Sequence, residues 1–323
     1  NCIFCKNAKL KRFKQRLKKN FYINALIKDL NLNNKFLDKI KIKECKRCGI
    51  LQNDPWFTEE VSQKIYTNIY GQHNKNWSNI INFFNTGKLN IHGNLFEIIN
   101  KKLKIKNYGE YKTPFMGMML NFFHKEYKYK KKELKKYFNL NIEYLRSRQV
   151  AGKNKKIQIE CINNGNKILK EKNKINMKNL KKISVNKYLL NDYSKFSWGI
   201  NDNYKSVNSL ALANEIFNNF KIINLHEKNI PKFDLFGIFL TLDHSETPKK
   251  ILEFALKNSK YVIVNCHISE KLNKQHLFTF TKKIINYLNN LGIYTKDISN
   301  YLNLKKKNSE MYFICSKKNI INF

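Results

Sequence analysis

Phe233-Asp234-Leu235-Phe236-Gly237-Ile238-Phe239-Leu240-Thr241 leads, a few residues on, into Thr247-Pro248 and then Tyr261-Val262-Ile263-Val264-Asn265. The first run is apolar at nearly every position, the pattern of a strand covered on both faces, as in a parallel sheet. Thr247 and Pro248 supply an N-cap and a first-turn proline for a helix through Leu256, and residues 261 to 265 read as the next strand. Working outward, the segment from Thr281 to Leu291 places Ile284, Ile285, Leu288 and Leu291 on one helical face and stops at Gly292. Met311 to Cys315 reads as a closing strand. From about residue 105 onward, strands therefore alternate with helical segments, which defines an α/β fold.

Upstream the pattern differs. Cys2-Ile3-Phe4-Cys5 and Cys45-Lys46-Arg47-Cys48-Gly49 are two Cys-x-x-Cys turns. Each turn aims two thiolates at one centre, so Cys2, Cys5, Cys45 and Cys48 are expected to hold a tetrahedral zinc ion. Four thiolates leave no open position for water, which makes the metal structural. Residues 50 to 54 end a short strand, and Thr58 caps a helix through Val61, Ile65, Ile69 and Tyr70. Two more helical patterns follow, on Trp77 to Phe84 and on Leu95, Ile98, Ile99 and Leu103. The expected organisation is a zinc-binding module over 1–55, a helical cap over 56–104 and an α/β domain over 105–323 with an insertion at 128–180.

With 323 residues, 42% of them hydrophobic, the chain can bury a full core, which excludes a wholly disordered protein. No apolar run reaches the length of a membrane span and no signal peptide is visible, although the first residue is Asn1 rather than Met and further residues can precede it; the cytoplasm is the expected compartment. Cys161, Cys266 and Cys315 sit in apolar surroundings as reduced core residues. The formal charge of +38 raises nucleic acid as a partner. Lysine, however, is abundant from end to end, and the densest clusters, Lys9 to Lys19 and Lys125 to Lys136, carry no RNA-binding or helix-turn-helix signature. They read as solvated faces.

Three blocks in this order resemble the S-adenosylmethionine-dependent methyltransferases with an amino-terminal zinc module, the group that includes sugar C-methyltransferases. The first is Cys45-Lys46-Arg47-Cys48-Gly49-Ile50-Leu51-Gln52-Asn53-Asp54-Pro55, with the Tyr-bearing segment Tyr66 to Gly71 beyond it. The second is Phe233-Asp234-Leu235 running to Leu242-Asp243-His244 and Pro248, similar to a strand-four block ending in Leu-Glu-His. The third is Gln275-His276-Leu277-Phe278-Thr279-Phe280-Thr281, similar to a His-Leu-Phe block before the last long helix. The resemblance implies a Rossmann-like class I methyltransferase domain, S-adenosylmethionine and structural Zn2+ as cofactors, and a small-molecule acceptor such as a nucleotide-sugar.

It also implies a glycine-rich donor turn, and here the sequence departs from the pattern. Glu110-Tyr111-Lys112-Thr113-Pro114-Phe115-Met116-Gly117 keeps an acid and a final glycine before an amphipathic stretch, so Glu110 and Gly117 are the favoured donor contacts. The competing strand one is Ile157 to Gly165. For the ribose hydroxyls the candidate is Asn186, at the end of Ile183-Ser184-Val185-Asn186, with Asp192 and Asp202 as alternatives. By resemblance, Asp243 and His244 stand at the mouth of the sheet. His244 and His276 are candidate bases, since imidazole titrates near neutral pH, and Tyr70 and His73 face the same cleft from the cap. The eroded donor turn keeps open a second possibility, a methyltransferase-fold binding module without catalysis, and the charge a third, RNA binding or RNA methylation.

Overall fold

The computed structural model describes residues 1–7, 9–14, 35, 39–54, 91–111, 136, 155–174, 184–190, 217, 219–245, 247–270, 278–302 and 310–319. Two sheets organise them. The larger has seven strands: β4 (Asn107–Tyr111), β5 (Asn186–Leu190), β6 (Phe220–Ile223), β7 (Phe233–Phe239), β8 (Ser259–His267), β10 (Tyr294–Asp297) and β11 (Glu310–Ser316), in the spatial order β10-β11-β8-β7-β4-β5-β6. Pairings among β4, β5, β6, β7 and β8 are parallel, whereas β11 runs antiparallel to both β8 and β10. Counted along the chain, this is the doubly wound order 3-2-1-4-5-6 with one reversed strand inserted before the last. The fold is a Rossmann-like α/β sheet, and its direction of winding reverses between β4 and β7.

β7, β8 and β11 form because long runs of β-branched and aromatic residues lose nothing by burial on both faces. β4 is different. Its sequence Asn-Tyr-Gly-Glu-Tyr carries a carboxylate into the sheet, and Glu110 is fully buried. The charge is tolerated because Lys187 of the adjacent β5, also fully buried, forms an ion pair with it and sits 4.2 Å from the centre of the Tyr108 ring. Gly109 is what allows β4 to lie beside β7, since a Cβ there would stand 2.4 Å from the Phe236 ring. Asp234 ties the same strands together at their start, accepting hydrogen bonds from the backbone N–H groups of Lys106 and Asn107 at 2.9 and 3.0 Å.

The described helices are α1 (Ile91–Leu103), α2 (Lys155–Asn173), α3 (Pro248–Asn258) and α4 (Lys283–Asn289). None is long and apolar enough to cross a membrane. In α3, proline occupies the first turn as expected, but the Thr247 side chain makes no capping hydrogen bond; Ser245 Oγ instead accepts the Thr247 N–H at 3.1 Å. α4 is shorter than its apolar spacing suggested. It buries Ile284, Tyr287 and Leu288, and Leu291 falls beyond its end, exposed, beside the left-handed Gly292. The alternative strand one, Ile157 to Gly165, lies within α2 and is helical.

The smaller sheet, β1 (Leu10–Arg12), β2 (Lys41–Cys45), β3 (Leu51–Asp54) and β9 (Phe278–Thr279), is antiparallel throughout. Its fourth strand comes from the segment between β8 and α4, so the amino-terminal strands are sewn to the large sheet. Phe4 packs edge-on against Phe280 and Tyr287, with ring centres 5.8 and 6.2 Å apart. Glu44, nearly buried, bonds both Lys11 and Lys283, and the Thr281 hydroxyl donates to the Gly49 carbonyl at 3.0 Å.

Candidate functional site

Two constellations stand out. The first is the cysteine cluster. The β2–β3 turn carries Cys45 and Cys48 beneath the Cys2–Cys5 turn, and the four Sγ atoms lie within 4.8 Å of one another, all buried. Cys2 and Cys48 are 3.5 Å apart and Cys5 and Cys45 3.4 Å. Thiolates bound tetrahedrally at about 2.3 Å from zinc stand about 3.8 Å apart, so the set is compatible with that ion after shifts of about 1 Å or less. The hydrogen bond shared with Cys48 favours a thiolate at Cys2, brought down to about 5, and keeps the proton on Cys48. Burial pushes the Cys5 thiol up to about 12. A metal would displace the remaining protons. Gly49 shapes the turn: its φ is +74°, and a Cβ would meet Lys283 Cβ and Thr281 Oγ1 at 2.7 Å.

The second lies at the carboxyl ends of β4, β7 and β8, where open α/β sheets bind ligands and where the winding reverses. After Phe239 the chain turns at Leu240, whose φ of +49° is uncommon for a residue with a side chain, and whose N–H is held by the Asn265 carbonyl at 2.8 Å. A 3-10 turn, Leu242–His244, then places the fully buried Asp243 against the end of β8. Asp243 Oδ2 lies 2.8 Å from His267 Nδ1 and accepts the His267 backbone N–H at 3.3 Å. Burial opposes charge on His267, but the bond and charge of Asp243, joined by Glu310, prevail and raise its pKa above the usual imidazole value. Beside this pair, Tyr111 at the end of β4 reaches Ser245 Oγ at 3.5 Å. Thr241 Oγ1 is buried there without a hydrogen-bond partner among the described residues, as is Asn265 Oδ1. Unpartnered polar oxygens at a strand-end crevice suit a polar ligand better than an apolar one.

The expected residues divide. Asp243 is in the crevice, and His244 follows it in the same turn, its side chain outside the description. Tyr70, His73, Gly117, Asp192, Asp202 and His276 lie outside the described residues. Glu110 sits inside β4, engaged by Lys187 rather than aimed out of the strand end. Asn186 opens β5 instead of ending it. Its amide bonds Asn107 and Asn219 at the amino edge of the sheet, and four residues of strand, about 13 Å, separate it from the carboxyl end. The ribose-holding role does not fit that placement. Sequence reading passed over His267 and Thr241. The available signal was the polar break Asn265-Cys266-His267 at the end of an otherwise apolar strand.

No family model and no curated protein matches this chain. Solved structures do. The amino-terminal domain of EvdMO1, crystallised with SAH and D-fucose, is 9% identical over 69% of this chain and 81% of its own, with a TM-score of 0.35. The plantazolicin methyltransferase BpumL, in complex with a monoazolic desmethylPZN analog and SAH, is 8% identical over 80% of this chain and 93% of its own, at 0.38. A S-adenosylmethionine-dependent methyltransferase from Clostridium acetobutylicum ATCC 824 is 9% identical over 74% and 96%, at 0.33. At such identities and TM-scores these are distant likenesses.

Proposed function

We propose that this chain is an S-adenosylmethionine-dependent methyltransferase with a structural zinc module, acting on a small polar acceptor such as the carbon of an activated sugar. The observation that carries the reading is the cluster of polar side chains, Asp243, His267, Thr241 and Ser245, at the strand ends beside the reversal point of a 3-2-1-4-5-7-6 sheet, the place where such a fold binds ligands. The three sequence blocks that resemble zinc-module methyltransferases supply the chemistry.

When bound, the donor would supply a methyl group on a sulfonium sulfur. The protein's part is to align the acceptor, worth several kcal/mol of barrier, and to take its proton, worth roughly 10²- to 10⁴-fold in rate. Thr241 Oγ1, buried two residues beyond the end of β7, is suited to a polar group of the donor or acceptor. With Asn186 at the far edge, we assign the ribose hydroxyls to Asp192, which follows the end of β5 by two residues in the sequence. Tyr70, His244 and His276 complete the acceptor side, and Gly117 the donor side. In this reading residues 1–55 are the zinc module, 56–104 the cap and 105–323 the methyltransferase domain. Engagement of Glu110 by Lys187 favours one second reading, a module that binds a ligand or partner without turnover.

The test is incubation of zinc-loaded protein with methyl-labelled S-adenosylmethionine and a panel of nucleotide-sugars and free sugars. Label transferred to one acceptor with stoichiometric release of S-adenosylhomocysteine is expected. Donor binding without transfer to any of them would favour the non-catalytic module.

A further inference from the structure

The resemblance points to His244 and His276 as bases, and among the described side chains a third histidine, His267, is held in place by a buried carboxylate. We propose that His267, at the carboxyl end of β8, is the proton acceptor of the reaction, with Asp243 as its positioning residue. The inference rests on the methyl-transfer reading of the same crevice.

The geometry is that of an oriented imidazole. β7 and β8 are parallel, with Phe239 level with Asn265, so His267 projects two residues past the end of β7 at the rim of the crevice. Asp243, fully buried in the 3-10 turn, takes Nδ1 at 2.8 Å and the backbone N–H of the same residue at 3.3 Å. Two contacts from one carboxylate oxygen fix both the ring and the strand end that carries it. With Nδ1–H given to Asp243, Nε2 is the nitrogen that exchanges a proton, and the His267 side chain keeps 22% exposure. Glu310, the register partner of His267 on β11, adds a second negative charge beside the ring, and its Oε2 lies 3.4 Å from the Asn265 amide. Among the described residues, Asp243 from the turn and Glu310 from β11 are the charged groups that act on His267, and both stabilise the imidazolium that proton capture creates.

Placement also assigns the pair to the acceptor side. The winding reverses between β4 and β7, and β8 lies one strand further from β4 and β5, whose ends face the donor in the proposed function. In the step, the acceptor oxygen or carbon forms a bond to the methyl carbon as the carbon–sulfur bond breaks, its electron pair staying on sulfur. The acceptor's proton passes to Nε2 of His267, and solvent later removes it. Because the base must start neutral, the rate rises with pH through the pKa of His267, which Asp243 and Glu310 place above that of a free imidazole.

The experiment compares wild type, His267→Gln and Asp243→Asn in three measurements: S-adenosylhomocysteine affinity, transfer to the acceptor found with the labelled donor, and ¹H–¹⁵N correlation of the histidine rings against pH. His267→Gln should bind S-adenosylhomocysteine within threefold of wild type and lose 10²- to 10⁴-fold in transfer together with the pH-dependent limb. Asp243→Asn should keep the limb but move it to lower pH. Transfer within tenfold of wild type in His267→Gln, or loss of its S-adenosylhomocysteine binding, would overturn the assignment. If the wild type neither binds nor transfers, methyl transfer itself fails, and the ring spectrum decides the rest: a proton on Nδ1 sustains the oriented histidine, and a proton on Nε2 refutes it.

Discussion

Replacing Lys187 with Met leaves the Glu110 carboxylate without its cation in a part of the sheet where both side chains have no exposure. Methionine fills a similar volume, so the loss is electrostatic rather than a cavity. Removing one member of a buried ion pair costs about 3–5 kcal/mol. At about 2–4 °C per kcal/mol, the thermal midpoint should fall by about 6–20 °C at pH 7. The carboxylate escapes part of the cost by taking up a proton in the folded state, and a folded state that binds the extra proton loses stability as pH rises. The deficit should therefore be largest at neutral pH and shrink on acidification toward pH 5. The double variant Lys187→Met/Glu110→Leu, which removes both charges, should recover most of the stability. Calorimetric melts of the three proteins between pH 5 and 8 are the assay. A Lys187→Met midpoint within 2 °C of wild type, with no pH trend, would refute the buried pair as the reason β4 can carry a carboxylate.

Cys45→Ser should abolish stoichiometric zinc, read by metal analysis. Because zinc supplies on the order of 10 kcal/mol to small modules, it should also make β1 to β3 sensitive to protease. Gly49→Ala, which must place a Cβ against Lys283 and Thr281 at a positive φ, should cost on the order of 1–3 kcal/mol in thermal melts even with zinc bound. His267 has a raised folded pKa, so the stability it gains from Asp243 is full below the unfolded value of about 6.5 and is lost as pH rises through the folded value. The stability difference between wild type and Asp243→Asn should narrow across that window in chemical denaturation. Finally, RNA retention that falls steeply with salt would be needed to give the +38 charge a nucleic-acid role. Weak retention with a shallow slope is expected.

The parts legible in the sequence are those whose physics is local. β7, β8 and β11 announce themselves because uninterrupted apolar runs fit only strands covered on both faces, and Pro248 and Gly292 mark helix ends through their own backbone limits. The cysteine cluster was readable because a Cys-x-x-Cys turn carries its geometry with it. β4 was harder. Its acid is neutralised by a lysine 77 positions away, so the strand looks polar until the pairing is seen. β5 was displaced by a few residues because Lys187 interrupts its apolar pattern, and that shift moved Asn186 from the wrong end of the sheet to the right one on paper. His267 escaped notice for a related reason: its meaning comes from Asp243, 24 positions earlier, and only the parallel register of β7 and β8 brings the two together.

The central claim is that the carboxyl edge of the large sheet, beside the reversal between β4 and β7, receives a sulfonium methyl donor. Calorimetric titration of zinc-loaded protein with S-adenosylmethionine, and separately with S-adenosylhomocysteine, tests it most directly. Micromolar binding of either, at one site per chain, is the predicted result. No measurable heat for both ligands, with zinc present and the protein folded, would contradict it.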